Sequence, residues 1–82
     1  MGTRYTLTLS GADVLQILDA LDSRAASYEF TARYLRGGEE ATQLIEDVAD
    51  AEEAEAIARH FRDIQEILTA QITAQRQAQQ GY

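Results

Sequence analysis

The sequence predicts a mainly α-helical protein: a short N-terminal β-strand, then a long antiparallel helical hairpin with a short middle helix, completed by a second copy into a dimeric helical bundle. Three observations predict it. The 82 residues include no proline, so no residue forces a helix to break from within. Two long stretches place apolar residues alternately three and four apart, the spacing of helices packed along their length. One stretch near the N-terminus alternates with period two instead.

From Tyr5 to Leu9 the run Tyr-Thr-Leu-Thr-Leu puts Tyr5, Leu7 and Leu9 on one face and Thr6 and Thr8 on the other, the pattern of a short strand. Ser10-Gly11-Ala12-Asp13 follows as a capping box, with Ser10 as N-cap and Asp13 at the third helical position. A helix is predicted from Gly11 to Arg36, about 38 Å long at 1.5 Å per residue, ending at Gly37-Gly38. Its stripe is Val14, Leu18, Leu21, Ala25, Tyr28, Ala32 and Leu35, widened by Ile17. Ala26, Phe30 and Tyr34, each four apart, form a second patch well round the helix from the first.

Glu39 to Asp47 reads as a short helix bearing Leu44 and Ile45, with Val48 just beyond. Asp50-Ala51-Glu52-Glu53 is a second capping box, opening a helix over 51–79 unless the break is absorbed into one continuous helix. That helix places Ala54, Ile57, Phe61, Ile64, Leu68, Ile72 and Gln75 on one stripe. Glu52, Glu55, Arg59, Arg62, Asp63 and Glu66 fall largely opposite, where Glu55/Arg59, Arg59/Asp63 and Arg62/Glu66 make i,i+4 pairs on a solvated face. The Gln-rich end, 77–82, is expected to fray.

Two helices bury one stripe each, and a lone strand leaves both edges unpaired. The simplest cover for both is another copy, joined through Tyr5, Leu7 and Leu9 as paired strands in an isologous homodimer. The alternative is a compact monomer in which the middle helix caps the hairpin.

Composition excludes much chemistry. There is no cysteine, hence no disulfide, thiolate metal site or cysteine nucleophile; the single His60 excludes a two-histidine metal motif within a chain. A net charge of −7 disfavours direct nucleic-acid or anionic-membrane binding and favours a basic protein partner. No apolar run approaches the roughly 18 residues of a membrane span. The opening residues do not read as a secretory peptide, so a cytoplasmic protein is expected. No cofactor is implied, and the chain reads as a non-enzyme.

The main local anomaly is acidic: Glu39, Glu40, Glu46, Asp47, Asp50, Glu52, Glu53 and Glu55 are eight of the fourteen acids, with no Arg between Arg36 and Arg59. They could imitate a phosphate backbone and occupy a basic groove of a nucleic-acid-binding protein. They could equally be a solvated helix start favoured by the macrodipole, or a divalent-cation site if several converged. Phe30 and Tyr34, flanked by Arg33 and Arg36, are candidate partner anchors, unless the middle helix docks on them. Arg24 with Tyr28 could bind a small nucleotide, or Arg24 could cover the core and pair with an acid. His60 reads as a boundary histidine whose acidic neighbour is Asp63. All-α nucleotide pyrophosphohydrolases hold magnesium with facing carboxylate pairs, but Glu52/Glu55 and Asp63/Glu66 lie on one helix, where only a dimer could oppose them.

The Arg-Tyr-Thr-Leu-Thr-Leu segment (4–9), Ala20-Leu21-Asp22-Ser23-Arg24, Tyr34-Leu35 and Asp50-Ala51-Glu52-Glu53-Ala54 resemble the small acidic proteins common in phage and mobile-element genomes. The resemblance implies a protein that inhibits host defence or regulates a host enzyme by occupying a surface. The resulting expectation is an acidic interaction module that binds and blocks a basic partner. A structural or regulatory oligomerisation module, and a bundle binding a small nucleotide, stand as alternatives.

Overall fold

The computed structural model describes residues 2–38 and 40–80. Two helices make up its regular structure, α1 over Gly11–Leu35 and α2 over Ala51–Gln80, 25 and 30 residues long, packed as an antiparallel hairpin.

Local chemistry sets three of the four helix ends. Ser10 is the N-cap of α1, its hydroxyl accepting the Asp13 N–H at 3.1 Å, so one of the orphan donors of the first turn is satisfied. At the other end Gly37 takes φ +81°. There the Gly38 N–H reaches the Arg33 carbonyl and the Gly37 N–H the Tyr34 carbonyl, both at 3.0 Å. This pair of bonds is the Schellman motif, and glycine suits its left-handed position because it has no Cβ. Asp50 caps α2, its carboxylate accepting the Glu53 N–H at 2.8 Å. Glu53 reaches back to the Ala49 N–H at 2.6 Å, one residue before the expected partner in a capping box.

Three expectations need correction. Residues 5–9 form no strand, and among the described residues there is none: the chain supplies no second strand, so these backbone groups stay hydrated instead of entering a ladder. The middle helix is also absent. Residues 40–48 form an irregular connector, and Glu39 lies outside the described residues. A turn or two of isolated helix is costly to nucleate, and here bonds to α1 take the place of helical ones. Lastly, α2 runs on through Gln77 to Gln80 rather than fraying; Gly81 and Tyr82 are not described.

The predicted stripes face each other. Tyr28 and Phe61 stack with ring centroids 6.0 Å apart, and near the connector Arg36, the C-cap of α1, pairs with Glu55 of α2. Burial is uneven along the seam. The buried residues are Ala25, Phe30, Thr31, Ala32, Ala54 and Ala58, all in the half nearer the connector, which we call the closed half. In the open half, toward both termini, Val14, Leu18, Leu68 and Ile72 are only half-buried.

The hairpin is long and thin, 53 × 31 × 18 Å, with a radius of gyration of 16.2 Å against roughly 12 Å for a compact domain of this length. Its accessible surface is 6578 Å², where a folded monomer of the same mass averages about 4,900 Å².

Candidate interaction surface

The closed half is held by a polar latch that sequence reasoning did not find. Thr31, fully buried, donates its hydroxyl to the Ser27 carbonyl at 2.9 Å and accepts the Glu46 N–H at 3.0 Å. The Glu46 carboxylate accepts from the Ser27 hydroxyl at 2.6 Å and from Arg24 at 3.0 Å. These bonds lay the connector along α1, and Ile45 and Val48 become half-buried there. The signal for the latch was faint: Thr31 is one polar residue between Phe30 and Ala32, and Ser27 stands one helical turn earlier.

Around the latch, side chains singled out in the sequence take definite positions. Phe30 is only 4% exposed, with the Arg33 guanidinium 5.9 Å from its ring centroid, so its ring belongs to the monomer's core and is not a free partner anchor. Tyr34, one turn on, remains exposed. Arg24 is turned onto its own chain: besides Glu46 it donates to the Tyr28 hydroxyl at 3.2 Å and lies 5.1 Å from the Tyr28 ring centroid. The Arg24 and Tyr28 side chains are thus engaged with each other.

The acidic stretch divides. Glu46 belongs to the latch, Asp50 and Glu53 to the start of α2, and Glu55 to the ion pair with Arg36. Hydrogen bonding to Glu55 pushes the Arg36 guanidinium above its ordinary pKa. Glu40, Asp47 and Glu52 are exposed, and no ion pair involves them among the described residues. Also among those residues, no three or more histidine or carboxylate side chains gather where they could hold a metal ion. His60 is exposed, with Phe61 as its ring neighbour at 6.3 Å.

Arg62 departs most from expectation. Instead of pairing with Glu66 on a solvated face, it crosses to α1. It meets the Glu29 carboxylate with two bonds, at 3.0 and 2.9 Å, and Asp22 at 2.6 Å. The forked geometry matches guanidinium to carboxylate. The hydrogen bond from Arg62 lowers the Glu29 pKa against the opposing effect of burial, and the same bond, with that to Asp22, raises Arg62. Asp22 and Glu29 are seven apart, so they share one edge of α1; nothing in α2 alone marked Arg62 as their partner.

Most of the exposed large apolar side chains lie in the open half, while Tyr34, Leu35 and Leu44 are exposed at the connector end. Tyr5 and Leu7 are 83% and 75% exposed and Ile67 56%, with Leu9, Leu15 and Ile17 also in solvent. Tyr5, Leu7, Leu9, Val14, Leu68 and Ile72 line a shallow groove of about 300 Å³. A second groove of about 460 Å³ includes Leu9, Leu15, Leu18, Ile72 and Arg76. None of the described helices is long and apolar enough to cross a membrane. Comparison with protein-family models, with curated proteins and with solved structures finds no match.

Proposed function

We propose that this chain is a small, non-enzymatic protein–protein interaction module, a helical hairpin that offers the apolar surface of its open half to another protein chain. One observation carries the reading. Among the described residues, those withdrawn from solvent are four alanines, one phenylalanine and one threonine, while six of the nine exposed large apolar residues, Tyr5, Leu7, Leu9, Leu15, Ile17 and Ile67, lie in the open half. Apolar surface gathered in this way usually marks an association site. In this reading Tyr5, Leu7 and Leu9 keep the interface role that the sequence suggested, as side chains on an irregular segment. The test is binding of an environment-sensitive apolar dye, compared between the parent chain and Ile67→Asp. Dye binding that is indifferent to the substitution, with no associated chain at any concentration, would remove the reading.

A second reading concerns the acidic connector end. Exposed Glu40, Asp47 and Glu52, with a net charge of −7, support docking on a basic protein, as a surface blocker would do. An Arg-rich peptide should bind with an affinity that falls steeply between 50 and 300 mM salt, on the order of tenfold or more. The triple substitution Glu40→Gln, Asp47→Asn and Glu52→Gln should abolish that dependence; affinity insensitive to both changes would refute it.

A further inference from the structure

We propose that the open half is a dimer interface occupied by a second copy of this chain lying antiparallel, with the two acidic connectors pointing outward at opposite ends. This rests on the reading of the chain as an interaction module and names its partner.

Helix geometry defines the face. The ion pairs of Arg62 with Asp22 and Glu29, and of Arg36 with Glu55, lie along one side of the hairpin. At about 100° per residue, Ile17, Leu21 and Arg24 fall on the other side of α1, and Ile57, Ile64 and Ile67 on the matching side of α2. Arg24 lies near both the Tyr28 and Phe61 rings, which fixes this second side at the helix junction. There the exposed Ile17 and Ile67 continue into Leu21, Ile64 and Leu68, all half-buried. Tyr5 and Leu7 border the same surface through Leu68 and Ile72.

Area argues for a partner of protein size. The 6578 Å² of accessible surface exceeds the expectation for this mass by roughly 1,700 Å², about twice the 800 Å² that each partner loses in a standard interface. An isologous pair uses one patch twice, so a single apolar face is sufficient.

Charge selects the orientation. Residues 33–55 hold eight acids and two arginines. A parallel pair would set two such ends side by side, about one helix spacing of 10 Å apart, where screening at physiological salt is incomplete. The open end carries Arg4, Asp13 and Arg76, all exposed, a far weaker net charge than the connector end. Antiparallel overlap separates the two acidic ends.

The experiment is sedimentation equilibrium of the full chain from about 1 to 100 μM, with interchain distances from spin labels at Gln43→Cys. Gln43 is exposed on the connector, and the natural chain has no cysteine to compete for the label. The expected result is a dimer whose labels lie farther apart than the 53 Å length of one hairpin. Ile67→Asp should weaken it at least tenfold with helicity unchanged, while Leu15→Asp, on the opposite side, leaves it intact. A dimer with labels within roughly 25 Å, two helix diameters, overturns the arrangement and leaves the interaction module standing. A monomer throughout overturns the second copy: apolar-dye binding lost in Ile67→Asp then keeps the module reading with a different chain as occupant, and no dye binding removes both.

Discussion

Replacing Thr31 by valine probes the latch on which the closed half depends. The two side chains have similar shape and intrinsic helix propensity, so the change removes a hydroxyl and little else. At a fully buried site whose hydroxyl did nothing, valine would be neutral or stabilising, because a polar group would no longer be withheld from water. The structure predicts the opposite sign. Thr31 Oγ1 is the acceptor for the Glu46 N–H at 3.0 Å, and losing a hydrogen bond while stranding its donor costs about 1–3 kcal/mol. The bond from Thr31 back to the Ser27 carbonyl offsets a few tenths at most, since such bonds compete with the helix ladder.

A net loss of about 1.5–2 kcal/mol corresponds, for a domain of this size, to a fall in melting temperature on the order of 6–15 °C. Urea titration followed by helical circular dichroism measures it, at one protein concentration throughout because association would shift the midpoint. Amide exchange at Glu46 supplies the local readout and should accelerate by at least tenfold. A Thr31→Val variant as stable as the parent, with Glu46 exchange unchanged, would refute the latch.

Arg62→Met keeps the aliphatic stem and removes the fork; it should cost about 1–2 kcal/mol, the upper range for partly exposed pairs because the geometry is bidentate. Glu29 supplies the pH test. Its folded pKa lies below the ordinary 4.5, so its contribution is complete above that value and is lost as pH falls through the folded pKa. Acid titration monitored by urea midpoints should therefore show a steeper loss below about pH 4.5 in the parent than in Arg62→Met. Gly37→Ala should cost about 1–2 kcal/mol from backbone strain alone, since at φ +81° an added Cβ meets nothing within 4 Å. Gly38→Ala, at an ordinary φ, should stay within about 0.5 kcal/mol by the same melts. Ser10→Ala and Asp50→Ala should each cost about 1 kcal/mol.

Helices were legible because their signals are local and redundant. Ser10, Asp50, Gly37 and the three-four spacing each act within a turn or two of sequence, and together they place both helices within about a residue of their ends. Strand signals are also local, but strand existence is not: Tyr5 to Leu9 alternates as a strand would and lacks a partner for its backbone. The connector fails for a related reason. Glu46 carries good helix-forming character, and its fate is set by Arg24, Ser27 and Thr31, some fifteen to twenty-two residues away. The acidic stretch was visible as composition, whereas its division into caps, latch, ion pair and exposed acids depends on which cations α1 presents. Arg62 shows the same limit, since i,i+4 spacing offers Glu66 and the fold supplies Glu29 and Asp22.

The uneven seam follows from side-chain size. Near the connector the facing residues include Ala25, Ala32, Ala54 and Ala58, small enough to let helix axes approach closely, and the connector itself covers Thr31 and its neighbours. Toward the termini the stripe changes to the bulkier Val14, Leu18, Leu68 and Ile72, half-buried beside grooves that flank the seam. Two helices cannot enclose branched side chains that the connector does not reach, and the N-terminal segment, bearing Tyr5, Leu7 and Leu9, lies against that region without sealing it. Charge runs the other way along the same axis, with the acids concentrated at the connector. The proposed apolar association and acidic docking therefore use opposite ends of one hairpin, so substitutions at Ile67 and at Glu52 should act independently, additive within about 0.5 kcal/mol as expected for distant sites.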